Sequence, residues 1–392
     1  MKRLPFLLVS GLALLAAPAL AQTLVFAGGK SFRVHESPAI AVSADDGKTW
    51  SLAFEGARKG MDNPSFVTDL AYGAGKVVAV TNYGVVLTSA DKGKTWASQD
   101  VKGPLRLNGG FNGVAYGGGI FLAAGTSDAL AYSTDGVSWK RLGSLAGSQG
   151  EAVSRAADDA KRDARRKIGG LAGKLGGAVG GTLGSLGTAA ATKAAPVATD
   201  ANVHLGVTDS RDEVKYTHTY GVDFIDGKFY LTGNFGRIAV FVVRNGKPER
   251  EAVSYVNDKL TNALRATASD GKGHLVAFVE SSMNNAYSVD GGKSWEENFD
   301  VKQRLMGGNY GSGKFVAVSA FGDVATSPTG ASWQVTGITR MNDGGSFNDA
   351  IWTGKNWVIV GNDNSSWIST DAKKWTRTDT KQVSLLKLLV VK

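Results

Sequence analysis

Ser43-Ala-Asp45-Asp-Gly47-Lys-Thr49-Trp50 returns along the chain as Ser89-Ala-Asp91-Lys-Gly93-Lys-Thr95-Trp96 and Ser288-Val-Asp290-Gly-Gly292-Lys-Ser294-Trp295. Shorter forms are Ser133-Thr-Asp135-Gly-Val-Ser-Trp139, Ser369-Thr-Asp371-Ala-Lys-Lys-Trp375 and Ser327-Pro-Thr-Gly-Ala-Ser-Trp333, the last without its Asp. Each follows an alternating apolar stretch, such as Val85-Val-Leu-Thr88, and precedes another short strand. The chemistry suits a hairpin turn, in which Asp caps backbone N–H groups, Gly supplies a positive φ and Ser or Thr adds a local hydrogen bond. The Trp then folds back between sheets, where it buries a large area.

A second phrase lies upstream of each turn. Phe66-Val-Thr-Asp-Leu-Ala-Tyr72-Gly-Ala-Gly-Lys-Val-Val-Ala-Val80 parallels Phe111-Asn-Gly-Val-Ala-Tyr116-Gly-Gly-Gly-Ile-Phe-Leu-Ala124, with further copies beginning at Gly221, Arg265, Leu305 and Phe347. Each reads as strand, glycine turn, strand. Joined to the Trp hairpin, the two phrases make a four-stranded unit that recurs every 40 to 50 residues or so, the spacing of a propeller blade. Residues 66–101, 111–144, 217–256, 263–301, 305–338 and 347–381 supply six such units, with 217–256 turning at Asn245-Gly246 in place of the Trp phrase. The unit 23–54 begins at what would be its second strand. The C-terminal Val383-Ser-Leu-Leu-Lys-Leu-Leu-Val-Val391 is a spare strand that completes it and removes two open sheet edges. The expected fold is therefore all-β, a seven-bladed propeller closed by its last strand, with an open six-bladed ring as the alternative.

The turn phrase resembles the Asp-box, or BNR repeat, of sialidases, other glycosidases and many non-enzymatic bacterial propellers. That resemblance implies a structural turn between third and fourth strands and assigns no catalysis to Ser43, Asp45, Gly47, Trp50, Ser89, Asp91, Gly93, Trp96, Asp135, Trp139, Asp290, Gly292, Trp295, Trp333, Asp371 or Trp375. The repeat pattern is most similar to the photosystem II assembly-factor-like group of bacterial propellers, over about 310 residues.

The chain has 392 residues, 52 glycines, 8 prolines and no cysteine, with 43% hydrophobic and 20% charged residues, a composition that supports a large core. Glycine at about twice its usual share of ~7% lacks the triplet spacing of collagen and points to turns. Met1-Lys2-Arg3, the apolar run Leu4–Leu15 and Ala19-Leu20-Ala21 before Gln22 match a secretory signal peptide, cut after Ala21. The expected location is secreted or periplasmic, and a fold without disulfides rests on burial and sheet pairing alone. The organisation read from these signals is 1–21 signal peptide, 22–144 blades 1 to 3, 145–215 insertion, and 216–392 blades 4 to 7 with the closing strand.

The insertion departs from the blade pattern. Glu151–Lys167 is rich in Ala and interleaved charge, as in an exposed helix. Within 168–191, Gly169, Gly173, Gly177 and Gly181 are spaced by four, similar to a glycine zipper. Three readings stay open for 150–200: a flexible loop, a membrane-contacting or self-associating helix, and a lid on the propeller.

Connections between blades, and those between second and third strands, lie on the face opposite the Trp turns. Candidate ligand contacts on that face are Arg33, His35, Glu36, Tyr83, Asp128, Asn234, Arg237, Glu280, Asn284, Asp323, Asn362 and Asp363. A sialidase would need an arginine triad and an Arg-Ile-Pro motif, yet Phe32-Arg33-Val34 keeps only the Arg. A two-carboxylate glycosidase using Glu36, Glu280 or Asp323 stays open. The four histidines show no metal spacing, no phosphate-loop Gly-Lys-Ser/Thr occurs, and a net charge of +9 spread over turn lysines does not suggest nucleic acid. The expectation is a binding or assembly scaffold without cofactor or metal, engaging a protein or glycan of the cell envelope.

Overall fold

The computed structural model describes residues 23–31, 37–56, 65–127, 129–142, 218–257, 262–279, 285–298, 304–338, 346–362, 364–380 and 383–392. The expected signal peptide and the 145–215 insertion lie outside them. Seven four-stranded antiparallel sheets form the ring. Their inner strands are Val383–Val391 in blade 1, Val67–Gly73 in blade 2, Phe111–Gly117 in blade 3, Thr219–Ile225 in blade 4, Leu264–Ser269 in blade 5, Leu305–Gly311 in blade 6 and Phe347–Trp352 in blade 7. Blade 1 joins the two ends of the described chain, Val383–Val391 pairing antiparallel with Leu24–Ser31. The spare C-terminal strand thus closes the ring as its sequence predicts.

The repeated Ser-x-Asp phrase earns its place through hydrogen bonds. In blade 2 the Ser89 hydroxyl donates to Asp91 at 2.8 Å and accepts the Gly93 N–H at 2.8 Å, while the same carboxylate accepts the Thr95 N–H at 2.9 Å. Ser43, Ser133, Ser288 and Ser369 repeat the serine-to-aspartate bond at 2.8 to 3.0 Å. Blade 6, with Thr329 in the aspartate's place, retains the Ser327 bond to the Gly330 N–H at 2.7 Å. The Thr95 hydroxyl holds the Asp91 carboxyl down to about 2, and the Lys374 N–H does the same for Asp371. Each of these turns also packs on the preceding blade. A Cβ on Gly93 would stand 2.4 Å from Phe26 of blade 1, and one on Gly330 would stand 2.4 Å from Val276 of blade 5. Glycine here serves both a positive φ, +85° and +86°, and a close approach. Blade 4 turns at Asn245 and Gly246 with φ of +51° and +70°, the two positive values of a type I′ hairpin.

The core is built as clusters between neighbouring blades, for example Phe229, Leu231 and Phe241 of blade 4 against Ile120, Leu122 and Tyr132 of blade 3. One position breaks this pattern. Three residues before the turn serine stand the buried Ile40, Val86, Leu130 and Val324; blade 7 has Ser366, which accepts the Trp50 indole N–H at 2.8 Å, but blade 5 has Asn285, fully buried and with neither amide atom hydrogen-bonded among the described residues. A buried polar group left unpaired costs about 1–3 kcal/mol. Asn285→Leu is therefore expected to raise the melting temperature by a few degrees in a calorimetric scan, and a lowered one would mean that the amide has a partner.

Candidate functional site

All seven inner strands carry a bulge near their first residues. Register shifts occur between Val67 and Asp69, Phe111 and Gly113, Thr219 and Gly221, Leu264 and Thr267, Leu305 and Gly307, and Phe347 and Asp349; in blade 1 the shift at Gly28/Gly29 skips Leu386. The residues two past the last pair before each shift form a ring around the channel: Lys387, Asp69, Gly113, Gly221, Ala266, Gly307 and Asp349, in blade order. Glycine suits three of these places because the next blade comes close. A Cβ on Gly221 would lie 2.2 Å from the Arg265 carbonyl oxygen of blade 5.

The charged members hold neighbouring blades together. Asp69 accepts the Leu70 N–H of its own strand and, with its other oxygen, the Val114 N–H of blade 3, both at 2.9 Å. Asp349 accepts the Ala350 N–H at 3.0 Å and the Leu388 N–H of blade 1 at 3.1 Å. Two residues further along its strand than this ring, Asp223 of blade 4 accepts both the N–H and the hydroxyl of Thr267 in blade 5 at 2.8 Å. Just before the two ring aspartates, Thr68 donates to the Phe111 carbonyl at 2.9 Å and Asn348 to that of Leu385 at 2.8 Å. Each pair thus satisfies one acceptor and one donor on the inner edge of the next blade, groups that would otherwise be costly to bury.

Asp69, Asp223, Thr267, Asp349 and Lys387 line a channel cavity of about 260 Å³, together with Tyr72, Tyr116, Phe224, Asn309, Ile351 and Leu389. The aromatic rings also couple blades, since a Cβ on Gly73 would meet the Tyr116 ring at 2.0 Å and one on Gly117 the Phe224 ring at 2.1 Å. Burial raises all three aspartates against the opposing pull of Lys387, and the Asp69 carboxyl reaches about 7. Burial also works against the charge on Lys387, but Asp349, 3.8 Å away, with Asp69 and Asp223, overcomes it and lifts the ammonium above its ordinary value. No group of three or more His, Asp or Glu among the described residues is placed to hold a metal ion.

The face opposite the Trp turns is only partly described, and Arg33, His35, Glu36, Asp128, Glu280, Asn284 and Asp363 lie outside the described residues. Tyr83 and Asn234 sit half-buried in loops between second and third strands, and Asn362 is exposed. Asn362 accepts hydrogen bonds from Asn348 and from Ser384 at 2.7 and 3.2 Å, and it lines a second cavity with Lys30, Phe66 and Leu386. Asp323 is turned to its own loop, accepting from Ser319 at 3.3 Å. Arg237 is buried, 3% exposed, below the turn Asn234–Gly236 rather than displayed on the face.

Three of these loops share a sequence pattern. Asn82-Tyr83-Gly84, Asn234-Phe235-Gly236 and Ala320-Phe321-Gly322 each place an aromatic residue before a glycine at positive φ, in blades 2, 4 and 6. Phe235 and Phe321 are 37% and 39% exposed. Reading the sequence for polar contacts passed over Phe321, which an alignment of the loops alone would have found.

No family model matches the chain, and no curated protein does. Solved structures similar to it include a putative 6-phosphogluconolactonase from Bacteroides uniformis, 12% identical over 94% of this chain and 99% of that one, with a TM-score of 0.53. The computationally designed Ika8 protein is 11% identical, over 92% and 93% of the two chains, at 0.51. YCF48 from Cyanidioschyzon merolae is 15% identical, over 83% and 88%, at 0.48. The chain is a seven-bladed β-propeller. At such identities the likeness extends to architecture and no further, because one propeller scaffold hosts many unrelated activities.

Proposed function

We propose that this propeller is a non-catalytic binding and assembly scaffold, exported to the periplasm or cell exterior, and that its Trp-bearing turns are Asp-boxes of the BNR type. The observation that carries the scaffold reading is the exposed pair Phe235 and Phe321, in loops between second and third strands of blades 4 and 6, with Tyr83 half-buried at the corresponding place in blade 2. Exposed aromatic side chains on rigid elements are the groups that dominate protein interfaces. Two of the three are phenylalanines without a hydroxyl, which favours a protein partner of the envelope over a glycan.

A glycoside hydrolase is the second reading, favoured by one observation, the Asp69 carboxyl near neutrality inside a cavity. Against it, both oxygens of Asp69 and of Asp349 already accept main-chain N–H groups, so acid–base work there would disturb the contacts that hold the blades. A pull-down from envelope extract, with the wild type beside a Phe235→Ser/Phe321→Ser double variant of unchanged melting temperature, tests the scaffold. The variant is expected to lose about tenfold or more of the retained partner. Equal retention would move the interface elsewhere. Turnover of fluorogenic glycosides that disappears in Asp69→Asn would replace the scaffold by the hydrolase.

A further inference from the structure

Blade 1 is the seam of the ring, because its inner strand Val383–Val391 comes from one end of the chain and its second strand Leu24–Ser31 from the other. At this seam the ring of residues past the bulges reads Asp349, Lys387, Asp69, so that one lysine on the closing strand stands between aspartates of the two flanking blades. The Lys387 ammonium is 3.8 Å from Asp349, whose same oxygen accepts the Leu388 N–H of the closing strand. On the other flank Leu389 and Val391 pack with Val67 and Leu70 of blade 2, on either side of Asp69 in the same strand. We propose that Asp349, Lys387 and Asp69 form a proton-responsive latch, holding the closing strand more firmly below neutral pH than above it.

The direction follows from charge. Below neutrality Asp69 carries a proton and adds no charge to the buried cluster around Lys387. Above neutrality the Asp69 carboxylate charge is enclosed at that buried place. Among the described residues the groups around the latch are Asp223 from blade 4, Arg265 from blade 5 and the tyrosines Tyr72 and Tyr116 of the cavity wall, while blade 6 brings Gly308 and Asn309. Burial raises the Asp69 carboxyl from 3.8 to about 7 in the folded ring. A raised folded value means that the stabilisation is full below the unfolded value and is lost as pH rises through the folded one.

Hydrogen exchange read by mass spectrometry on peptides from 383–391, at pH 6 and pH 8 and corrected for intrinsic rates, tests the latch, with Leu275–Val279 of blade 5 as an internal reference. A proton released at about 7 makes that interval worth about tenfold in opening. The closing strand is expected to open about tenfold more often at pH 8 relative to the reference, and Asp69→Asn to remove the difference. Lys387→Met is expected to increase opening more at pH 8 than at pH 6. An equal response in the reference strand, an Asp69→Asn variant that keeps the difference, or a Lys387→Met cost independent of pH would each overturn the proposal. Should Asp69→Asn fail to fold, the Lys387→Met comparison decides alone.

Discussion

Removal of residues 383–392 is expected to abolish cooperative folding. Val383, Leu385, Leu388 and Val391 are all buried, none more than 6% exposed, and they stand between blades 7 and 2 as well as within blade 1. Buried side chains of this size contribute about 1.5–3 kcal/mol each. Four of them together rival the whole stability of a domain, ~5–15 kcal/mol. The truncated chain also exposes the inner edge of Leu24–Ser31 and leaves the Asp349 oxygen without its Leu388 N–H. The check is a thermal melt followed by near-ultraviolet circular dichroism, with a synthetic 383–392 peptide added in a parallel sample. A single sharp transition in the truncated chain, unchanged by the peptide, would show that blade 1 does not need its inner strand.

Trp357→Ala is expected to cost about 3–5 kcal/mol, the range for emptying a buried aromatic site. Trp357 is fully buried among Val316, Val318, Phe347, Ile359 and Ala372, with its ring 5.3 Å from that of Trp352. Its indole N–H has no hydrogen-bond partner among the described residues. Trp357→Phe should therefore stay within about 1 kcal/mol of the wild type, since the lost volume is offset by removal of an unpaired buried donor. Urea unfolding of both variants measures the contrast. A Phe variant as damaged as the Ala variant would mean that the indole N–H is bonded.

Much of this architecture is legible before any coordinates. The six Ser…Trp phrases locate the hairpins between third and fourth strands, Asn245-Gly246 marks the turn that lacks the phrase, and the Leu-rich tail announces the closing strand. The reason is physical: each of those signals is local, a turn whose side chains bond their own backbone, as Ser89 and Asp91 do. The channel ring is not local. Asp69, Asp349 and Lys387 come together only when blade 7 meets blade 1 and blade 1 meets blade 2, so their relation is invisible in any one repeat. A charge in the middle of a buried strand, as in Leu385-Leu-Lys387-Leu-Leu389, was the available clue, and an alignment of the seven inner strands at their bulges would have exposed it. The exposure of Phe321 and the burial of Arg237 depend on how a short loop turns over its neighbours, which residue type alone does not decide.

The pairing of Leu24–Ser31 with Val383–Val391 also governs how the ring can come into being. Blade 1 needs strands from the first and last described segments, so during synthesis its outer three strands must wait, with an inner edge unpaired, until residues 383–391 have been made. Contacts of such long sequence separation are slow to form, and an unpaired strand edge is a template for association with other chains. A ring assembled in this order is vulnerable while it grows and secure only when its last strand is laid in place.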